Sequence, residues 1–335
     1  MIIGVDVGYG YTKSVADNGQ RAIFPSVVGT GFERKMERMM YEGIINDSDN
    51  YDLVVRNGDE RRRYFVGNLA LLHSRDATRP FSDERDTPEE IKPQLLAAVG
   101  SLCQNEPVTL VTGLPLEPFS KYARSLKSSL ERLSGAEVIL NNNPVAIKFE
   151  SVILFPQAVA ALYGQLLRSK NGPAGAVGLV DVGFRTTDIV VFDLGTKKVL
   201  EGYNDTIIAG TNDVVTAIQD EIKKDAGIAP NPEWIEQALR QNKVMYFNKR
   251  EYDLAGMAAE RENSLGEIIA SRVARRWSDI QKKLKVVYLA GGGALLAQAA
   301  MSKIAPCEVV SDCQYANAVG YLLKGLGKKE LNQDS

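Results

Sequence analysis

Histidine is nearly absent: the 335-residue chain has one, His73, set in the polar stretch Leu72-His73-Ser74-Arg75. An isolated imidazole in such a context reads as a surface residue, and its isolation argues against Ser-His, Cys-His and multi-histidine metal sites. Cysteine is scarce too. Cys103, Cys307 and Cys313 are odd in number and lack the paired spacing of a zinc site, which reads as reduced thiols of a cytoplasmic protein. No apolar run is long enough to span a bilayer, and the strand-like start Met1-Ile2-Ile3 leaves no room for a secretory leader, so no membrane partner is expected. Charge of either sign is not in excess. The net charge of −2 speaks against broad, sequence-independent nucleic-acid binding, leaving only a local basic patch open, and no direct nucleic-acid contact is expected.

What the chain does have is an ordinary soluble composition, 44% hydrophobic and 24% charged, at a length that suits two domains. Its organising stretch is Gly178–Asp193, GLVDVGFRTTDIVVFD. An apolar run breaks on Asp181-Val182-Gly183 and resumes through Ile189–Phe192, the pattern of two short buried strands joined by a tight turn. Glycine lets a backbone approach an anion, threonine adds hydroxyl donors, and a strand-end carboxylate can hold a hydrated divalent cation, so the set suits a metal-bound phosphate. Ordinary hairpins also carry Asp and Gly for turn chemistry. The weight shifts because the stretch occurs twice. IIGVDVGYGYTKSVADNG aligns without a gap on VGLVDVGFRTTDIVVFDLG, with Asp6 on Asp181, Gly8 on Gly183 and Thr12 on Thr187. Each copy is followed by a third apolar segment, Arg21–Phe24 and Lys198–Gly202. A repeat at so long a period implies two similar domains. If the halves face each other, both glycine turns and both aspartates converge on one cleft.

From Ser26 to Thr87 the chain is dense in charge (Glu33-Arg34-Lys35, Asp59–Arg63, Asp83–Asp86) yet holds a hairpin, Tyr51–Val55 with Arg63–Val66, around Asn57-Gly58. This reads as a small inserted subdomain whose charges form a solvated face, with a docking site as the alternative. A helix over Glu89–Gln104, a strand at Val108–Thr112 and an amphipathic helix over Lys121–Leu133 follow. Asn141–Pro144 reads as a turn and Ala146–Leu154 as a strand running into Phe155-Pro156-Gln157-Ala158, which places Gln157 at the N-terminus of a crossover helix. Ser169–Gly175 is a linker. After the second hairpin, Gly210-Thr211 at a helix start offers N–H donors to an anion, or is a plain N-cap. Pro230–Asn242 and Asn248–Glu262 read as short helices, Ser264–Lys285 as a longer one. Val286–Ala290, Gly291-Gly292-Gly293 and Ala294–Met301 make a strand, a glycine turn and a helix, without the Lys-Ser/Thr of a P-loop or a GxGxxG pattern. A last helix begins near Gln314, and Lys328–Ser335 reads as a disordered tail.

Taken together and in this order, the two Asp-Gly hairpins, Ile153–Gly164, Val286–Leu296 and Ala316–Tyr321 resemble the phosphate-1, phosphate-2, connecting and adenosine motifs of the actin, Hsp70 and sugar-kinase superfamily. Gly113-Leu114-Pro115-Leu116, Phe155-Pro156-Gln157-Ala158-Val159 and Gln314–Gly320 are similar to segments of the ParM (plasmid-segregation) group of bacterial and archaeal actin-like proteins, with glutamine where that group bears an acidic residue. The resemblance implies an α/β, ribonuclease H-like pair of duplicated domains, each a mixed five-stranded sheet with helices on both faces and a nucleotide cleft between them. Domain I would span 1–165 and 314–335 with an insertion over about 26–88, and domain II 166–313 with a helical insertion over about 226–262.

The implied cofactors are ATP/ADP and Mg²⁺. Asp6 and Asp181 would hold Mg²⁺ through water, Gln157 would orient the attacking water, and Lys13 would meet the phosphates as a point charge. Gly8, Gly10, Tyr11, Thr12, Gly183, Thr186 and Thr187 would line the phosphates. Gly210, Thr211, Gly291, Gly292 and Gly293 would hold the adenosine end, with Lys243 a ribose or base contact. Arg185 stands where the family has small residues, and reaches the γ-phosphate or points outward. Three functions are compatible: an ATP-hydrolysing head-to-tail filament, with a DNA-binding adaptor if it segregates plasmids; a small-molecule kinase, for which Asp188 could be proposed as the base; and a non-polymerising ATP-dependent scaffold.

Overall fold

The computed structural model describes residues 1–34, 50–58, 60–80, 88–103, 105–169, 172 and 174–333. In chain order the elements are Ile2–Val7 (β1), Tyr11–Ala16 (β2), Arg21–Pro25 (β3), Val28–Thr30 (β4), Tyr51–Asn57 (β5) and Glu60–Val66 (β6). Helix Asn68–His73 (α1), helix Lys92–Leu102 (α2), Val108–Thr112 (β7), helix Leu116–Glu131 (α3), Glu137–Leu140 (β8), Asn143–Ala146 (β9), Phe149–Leu154 (β10) and helix Val159–Arg168 (α4) follow. Then come Ala176–Val182 (β11), Thr187–Asp193 (β12), Lys198–Val199 (β13), Asp205–Ile207 (β14), helix Thr211–Ala226 (α5), helix Pro232–Arg240 (α6), Val244–Phe247 (β15) and Arg250–Asp253 (β16). The chain finishes with helix Leu254–Arg276 (α7), Leu284–Ala290 (β17), helix Ala294–Met301 (α8), Cys307–Val309 (β18) and helix Ala316–Gln333 (α9).

Two compact units result, Met1–Ser169 with Tyr315–Ser335, and Lys170–Gln314. The first is built on a mixed sheet in the order β10-β7-β1-β2-β3, with β1 to β3 antiparallel and β1, β7 and β10 parallel. Every residue of β1 is buried, as befits a central strand covered on both faces. Leu95, Leu96 and Val99 of α2 pack on one face among Ile3, Val5 and Phe24. On the other, α9 lays Ala318 and Val319 against Val15, and Tyr321 against Ile2, Val111 and Ala160. Helices α4 and α9 approach through Gly320, where a Cβ would sit 1.9 Å from the Ala160 carbonyl oxygen, so no larger residue fits.

A second sheet of this unit runs β4-β6-β5-β8-β9, antiparallel throughout. Its centre is fastened by Arg63, whose guanidinium donates Nε to Asp52 Oδ1 at 2.7 Å and Nη2 to Oδ2, both partners largely buried. Breaking such a pair from one side leaves an uncompensated charge and costs about 3–5 kcal/mol.

The other unit repeats the plan. Its sheet runs β13-β12-β11-β17-β18, with β14 paired to β12 as a sixth strand; β11 and β12 are antiparallel, and β11, β17 and β18 parallel. β11 is buried throughout, and Trp277 fills the space over Gly178, where a Cβ would come 2.8 Å from the indole ring. The Trp277 Nε1 donates to the Tyr203 carbonyl at 2.9 Å, so its one polar atom is paired although the ring is fully buried.

Several local expectations are corrected. β5 and β6 extend to Asn57 and Glu60, which pair with each other, so Asn57 belongs to the strand instead of to the turn. Asn143-Pro144 is strand; the turn is Asn141-Asn142, both at positive φ, joining β8 and β9, and this hairpin adds itself to the small sheet. Residues 248–262 do not form a helix of their own. Asn248-Lys249, again at positive φ, turn β15 into β16, and α7 then runs unbroken from Leu254 to Arg276. The expected third strand at Lys198–Gly202 is two residues long, its place shared with β14. The C-terminal tail is helical as far as Gln333. His73 is half-buried and stands edge-on to Phe65 at 6.1 Å. The charge run Asp83–Asp86, Lys35, Asp59 and part of the Ser169–Gly175 linker lie outside the described residues.

Candidate functional site

The two repeated turns are closed by the same hydrogen bond. In the first unit the Gly8 N–H donates to the Tyr11 carbonyl at 3.1 Å; in the second the Gly183 N–H donates to the Thr186 carbonyl at 2.9 Å. Register agrees as well, with Asp6 opposite Lys13 and Val7 opposite Thr12, against Asp181 opposite Asp188 and Val182 opposite Thr187. The repeat in sequence is a repeat in hydrogen bonding.

Around the first turn, Lys13 Nζ donates to Asp6 Oδ2 at 3.1 Å and stands 3.1 Å from where a Gly8 Cβ would be, so the ammonium lies over the turn. Gln157 comes to the same carboxylate: its Nε2 donates to Asp6 Oδ1 at 3.0 Å and to the Val7 carbonyl at 3.2 Å. Both amide protons are then engaged, and Oε1 is the atom available to accept from a water. The chain reaches this geometry by a strained route. Ala158 has φ 60° and ψ −48°, and the Val159 N–H donates to the Gln157 carbonyl at 2.7 Å, which is a γ-turn on a non-glycine residue. Asn317 of α9 accepts the Ala158 N–H at 2.9 Å within the core. Thus α4 begins at Val159 with Ala158 at its N-cap, and Gln157 lies just before the helix.

The hydroxyls of Thr12 and Thr187, expected to line the phosphates, are turned into the fold. Both are fully buried; Thr12 Oγ1 and Ser26 Oγ are hydrogen-bonded at 2.8 Å, and Thr187 Oγ1 donates to the Ala209 carbonyl at 2.8 Å. Side chains alternate across a strand, so these hydroxyls face the core while Lys13 faces the other side. Gly10 is buried, its carbonyl taken by the Ser26 N–H and by Arg79 Nη1, each at 2.9 Å. Tyr11 is half-buried.

In the second unit Asp181, Gly183, Gly210, Thr211, Gly291 and Gly293 are gathered. The Gly293 N–H donates to the Val182 carbonyl at 3.0 Å, and Gly291, at φ +86°, lies so close that a Cβ would be 2.5 Å from Asp181 Oδ1. The donors expected to be free at Gly210-Thr211 are occupied. Gly210 N–H donates to Asp213 Oδ2 at 3.2 Å, Thr211 N–H to the Gly183 carbonyl at 3.1 Å and Asn212 N–H to the Phe184 carbonyl at 2.7 Å. The start of α5 therefore braces the glycine turn from behind. Thr186 is half-buried, Arg185 and Gly292 are exposed, and Lys243 is exposed between α6 and β15. Asp188 is buried and accepts the Thr206 hydroxyl at 2.5 Å.

Arg79, Ser26 and Asn317 have clear structural roles here and were given none by the sequence; only Asn317, within Gln314–Gly320, fell in a marked segment. Cys313 is another neighbour: burial, with the Asp181 carboxylate adding to it, pushes its thiol up from the ordinary range. Among the described residues no group of three or more His, Cys, Asp or Glu could hold a metal ion directly. Each turn carries one carboxylate at the end of its first strand, Asp6 in one unit and Asp181 in the other, and a carboxylate so placed has the chemistry to hold a hydrated Mg²⁺ through water.

Comparison with known proteins places this geometry. Residues 4–159 match the N-terminal domain of actin-like proteins, and residues 179–303 the C-terminal domain of the archaeal, MreB-like actin homologues. The chain is 25% identical over 342 residues to an archaeal actin homolog of Thermoplasma volcanium, covering 96% of this chain and 97% of the relative. It is similar to the protein of a 15-stranded ParM filament from Clostridium botulinum, with a TM-score of 0.84 and 26% identity over 97% of this chain and 99% of that one. It shares its fold with an archaeal actin homolog solved in complex with ADP, with a TM-score of 0.80 and 22% identity over 97% and 99% of the two chains. With a mixed sheet and a closed glycine turn repeated in each half, and with both halves matching actin-type domains, the chain belongs to the actin-like proteins and has the actin-like ATPase fold.

Proposed function

We propose that this protein binds ATP and ADP with Mg²⁺, hydrolyses ATP, and assembles head to tail into nucleotide-dependent filaments. The cellular task we assign is plasmid or DNA segregation, through a DNA-binding adaptor, or a related prokaryotic cytoskeletal role in the cytoplasm. The observation that carries the reading is the convergence of Lys13 and Gln157 on Asp6 at a glycine turn that the chain builds twice. The ADP complex of one relative and the filament of another support it.

In this reading the phosphates are engaged by both turns, with Lys13 as the positive charge that meets them and Asp6 and Asp181 as water-mediated holders of Mg²⁺. When bound, the cation would neutralise charge on the phosphate oxygens. Gln157 is held by its two amide protons and accepts a hydrogen bond from the attacking water at Oε1, orienting it without acting as a base. Asp6 keeps Lys13 and Gln157 in fixed positions relative to one another. The kinase alternative loses support, because Asp188 is buried and engaged by Thr206.

The test is right-angle light scattering with Mg-ATP, Mg-ADP and no nucleotide. Assembly that depends on nucleotide is the expected outcome. A flat signal at tens of micromolar protein together with phosphate release would favour the non-polymerising scaffold.

A further inference from the structure

We infer that Arg79 is a positioning residue for the first phosphate turn, tying its shape to the small sheet of the same unit. For its nucleotide arm the inference rests on the reading above. Arg79 is sixty-nine positions from Gly10, yet its Nη1 donates to the Gly10 carbonyl at 2.9 Å. That carbonyl belongs to the same loop as Gly8, whose N–H closes the turn onto Tyr11.

The segment that carries Arg79 is itself fixed to the edge strand β4. Thr78 and Val28 exchange both backbone hydrogen bonds at 2.9 Å. Asp76 accepts from the Thr30 N–H at 3.0 Å and from the Thr30 hydroxyl at 2.5 Å, and Ser74 Oγ donates to the Thr30 carbonyl at 3.1 Å. Ser26, just before β4, gives its N–H to the Gly10 carbonyl and shares a hydroxyl hydrogen bond with Thr12. A continuous set of bonds thus runs from the small sheet through Thr78-Arg79 to Gly10. A charged donor on a backbone carbonyl is stronger than a neutral one and holds that carbonyl in one orientation. The peptide that follows Gly10 has its N–H on Tyr11, so the orientation of the Gly10 carbonyl sets the path of the turn beside Lys13. The small sheet consequently regulates the nucleotide turn, and anything that shifts β4 shifts Gly10.

Arg79 also lines a cavity of about 530 Å³, with Tyr64, Thr78 and Lys92. This space admits a guanidinium ion in place of the side chain when it is truncated, which provides a specific test.

Full-length Arg79→Ala and Arg79→Lys are compared with wild type in two measurements. The first needs no nucleotide: hydrogen exchange of the backbone over Gly8–Lys13 in the unliganded protein. Exchange there should rise about tenfold in Arg79→Ala, the fold-change that corresponds to loss of one charge-assisted hydrogen bond, and less in Arg79→Lys. The second is steady-state phosphate release, in which KM for ATP should rise about tenfold with kcat altered much less. Added guanidinium chloride at tens of millimolar should restore both in Arg79→Ala, whereas equal sodium chloride or urea should restore neither. Unchanged exchange over Gly8–Lys13 in Arg79→Ala, or equal rescue by sodium chloride, would overturn the inference. Should the wild type bind no nucleotide, the nucleotide reading fails, and the exchange and guanidinium results still decide the role of Arg79.

Discussion

Gln157 and Asp6, 151 positions apart, are joined by a hydrogen bond of 3.0 Å from the amide Nε2 to the carboxylate Oδ1. This bond ties the crossover helix to the first glycine turn, and it explains why a glutamine suits the position. An amide donates to Asp6 where a second carboxylate would repel it.

Gln157→Ala removes both the donor to Asp6 and the oxygen proposed to orient water. Phosphate release should fall by about a hundredfold, with ATP binding changed little. Single-turnover measurements separate the two, and wild-type turnover would refute the assigned role. Asp181→Ala should also suppress release, with the loss tracking Mg²⁺ affinity.

The γ-turn at Ala158 stores strain. Ala158→Val places a β-branched residue at φ 60° and should destabilise the protein by about 2 kcal/mol or more. Ala158→Gly should be close to neutral, since relief of strain offsets added chain entropy of about 0.5–1 kcal/mol. Asn317→Ala leaves the buried Ala158 N–H without its acceptor and should cost about 1–3 kcal/mol. Urea unfolding of the three variants reads these differences.

Gly178→Ala brings a methyl group against the Trp277 ring in a fully buried strand, and should cost about 1–3 kcal/mol. Pairing it with Trp277→Phe, which makes room, should give less than the sum of the single effects. Strict additivity in denaturant titrations would mean that the contact does not govern the packing.

The raised Cys313 thiol gives a pH signature. In a Cys103→Ser, Cys307→Ser background, alkylation of Cys313 should stay slow near neutrality and accelerate only above pH 9.0, its ordinary value. The folded state holds this proton more tightly than the unfolded one, so its contribution to stability is complete below the unfolded pKa and disappears as pH rises through the folded one. Asp181→Asn removes one of the contributions that raise the thiol and should increase the alkylation rate at fixed pH. An unchanged rate would show that Asp181 does not contribute.

How much of this was legible in the sequence follows from which interactions are local. Fully apolar runs such as Ile2–Val7 and Ala176–Val182 announce central strands, and an ungapped repeat announces a duplicated unit. The hairpin at Asn248-Lys249 was missed, and the one at Asn141-Asn142 was read only as a turn two residues too long, because such turns depend on positive φ at residues that also occur in ordinary loops. The inward hydroxyls of Thr12 and Thr187 follow from strand alternation, which motif matching alone ignores. The blocked donors of Gly210, Thr211 and Asn212 and the reach of Arg79 to Gly10 are tertiary. No spacing rule could have located them.

The strand made first and the helix made last lie together: Ile2 of β1 packs with Tyr321 of α9, and Val15 of β2 with Ala318 and Val319. During translation the first hairpin therefore leaves the ribosome about three hundred residues before its cover, roughly fifteen to sixty seconds at usual elongation rates. Through that interval one face of the first sheet is bare and the crossing at Gly320 does not exist. Residues 170–314 can fold while it waits, and the core of the first unit closes only when the last helix arrives.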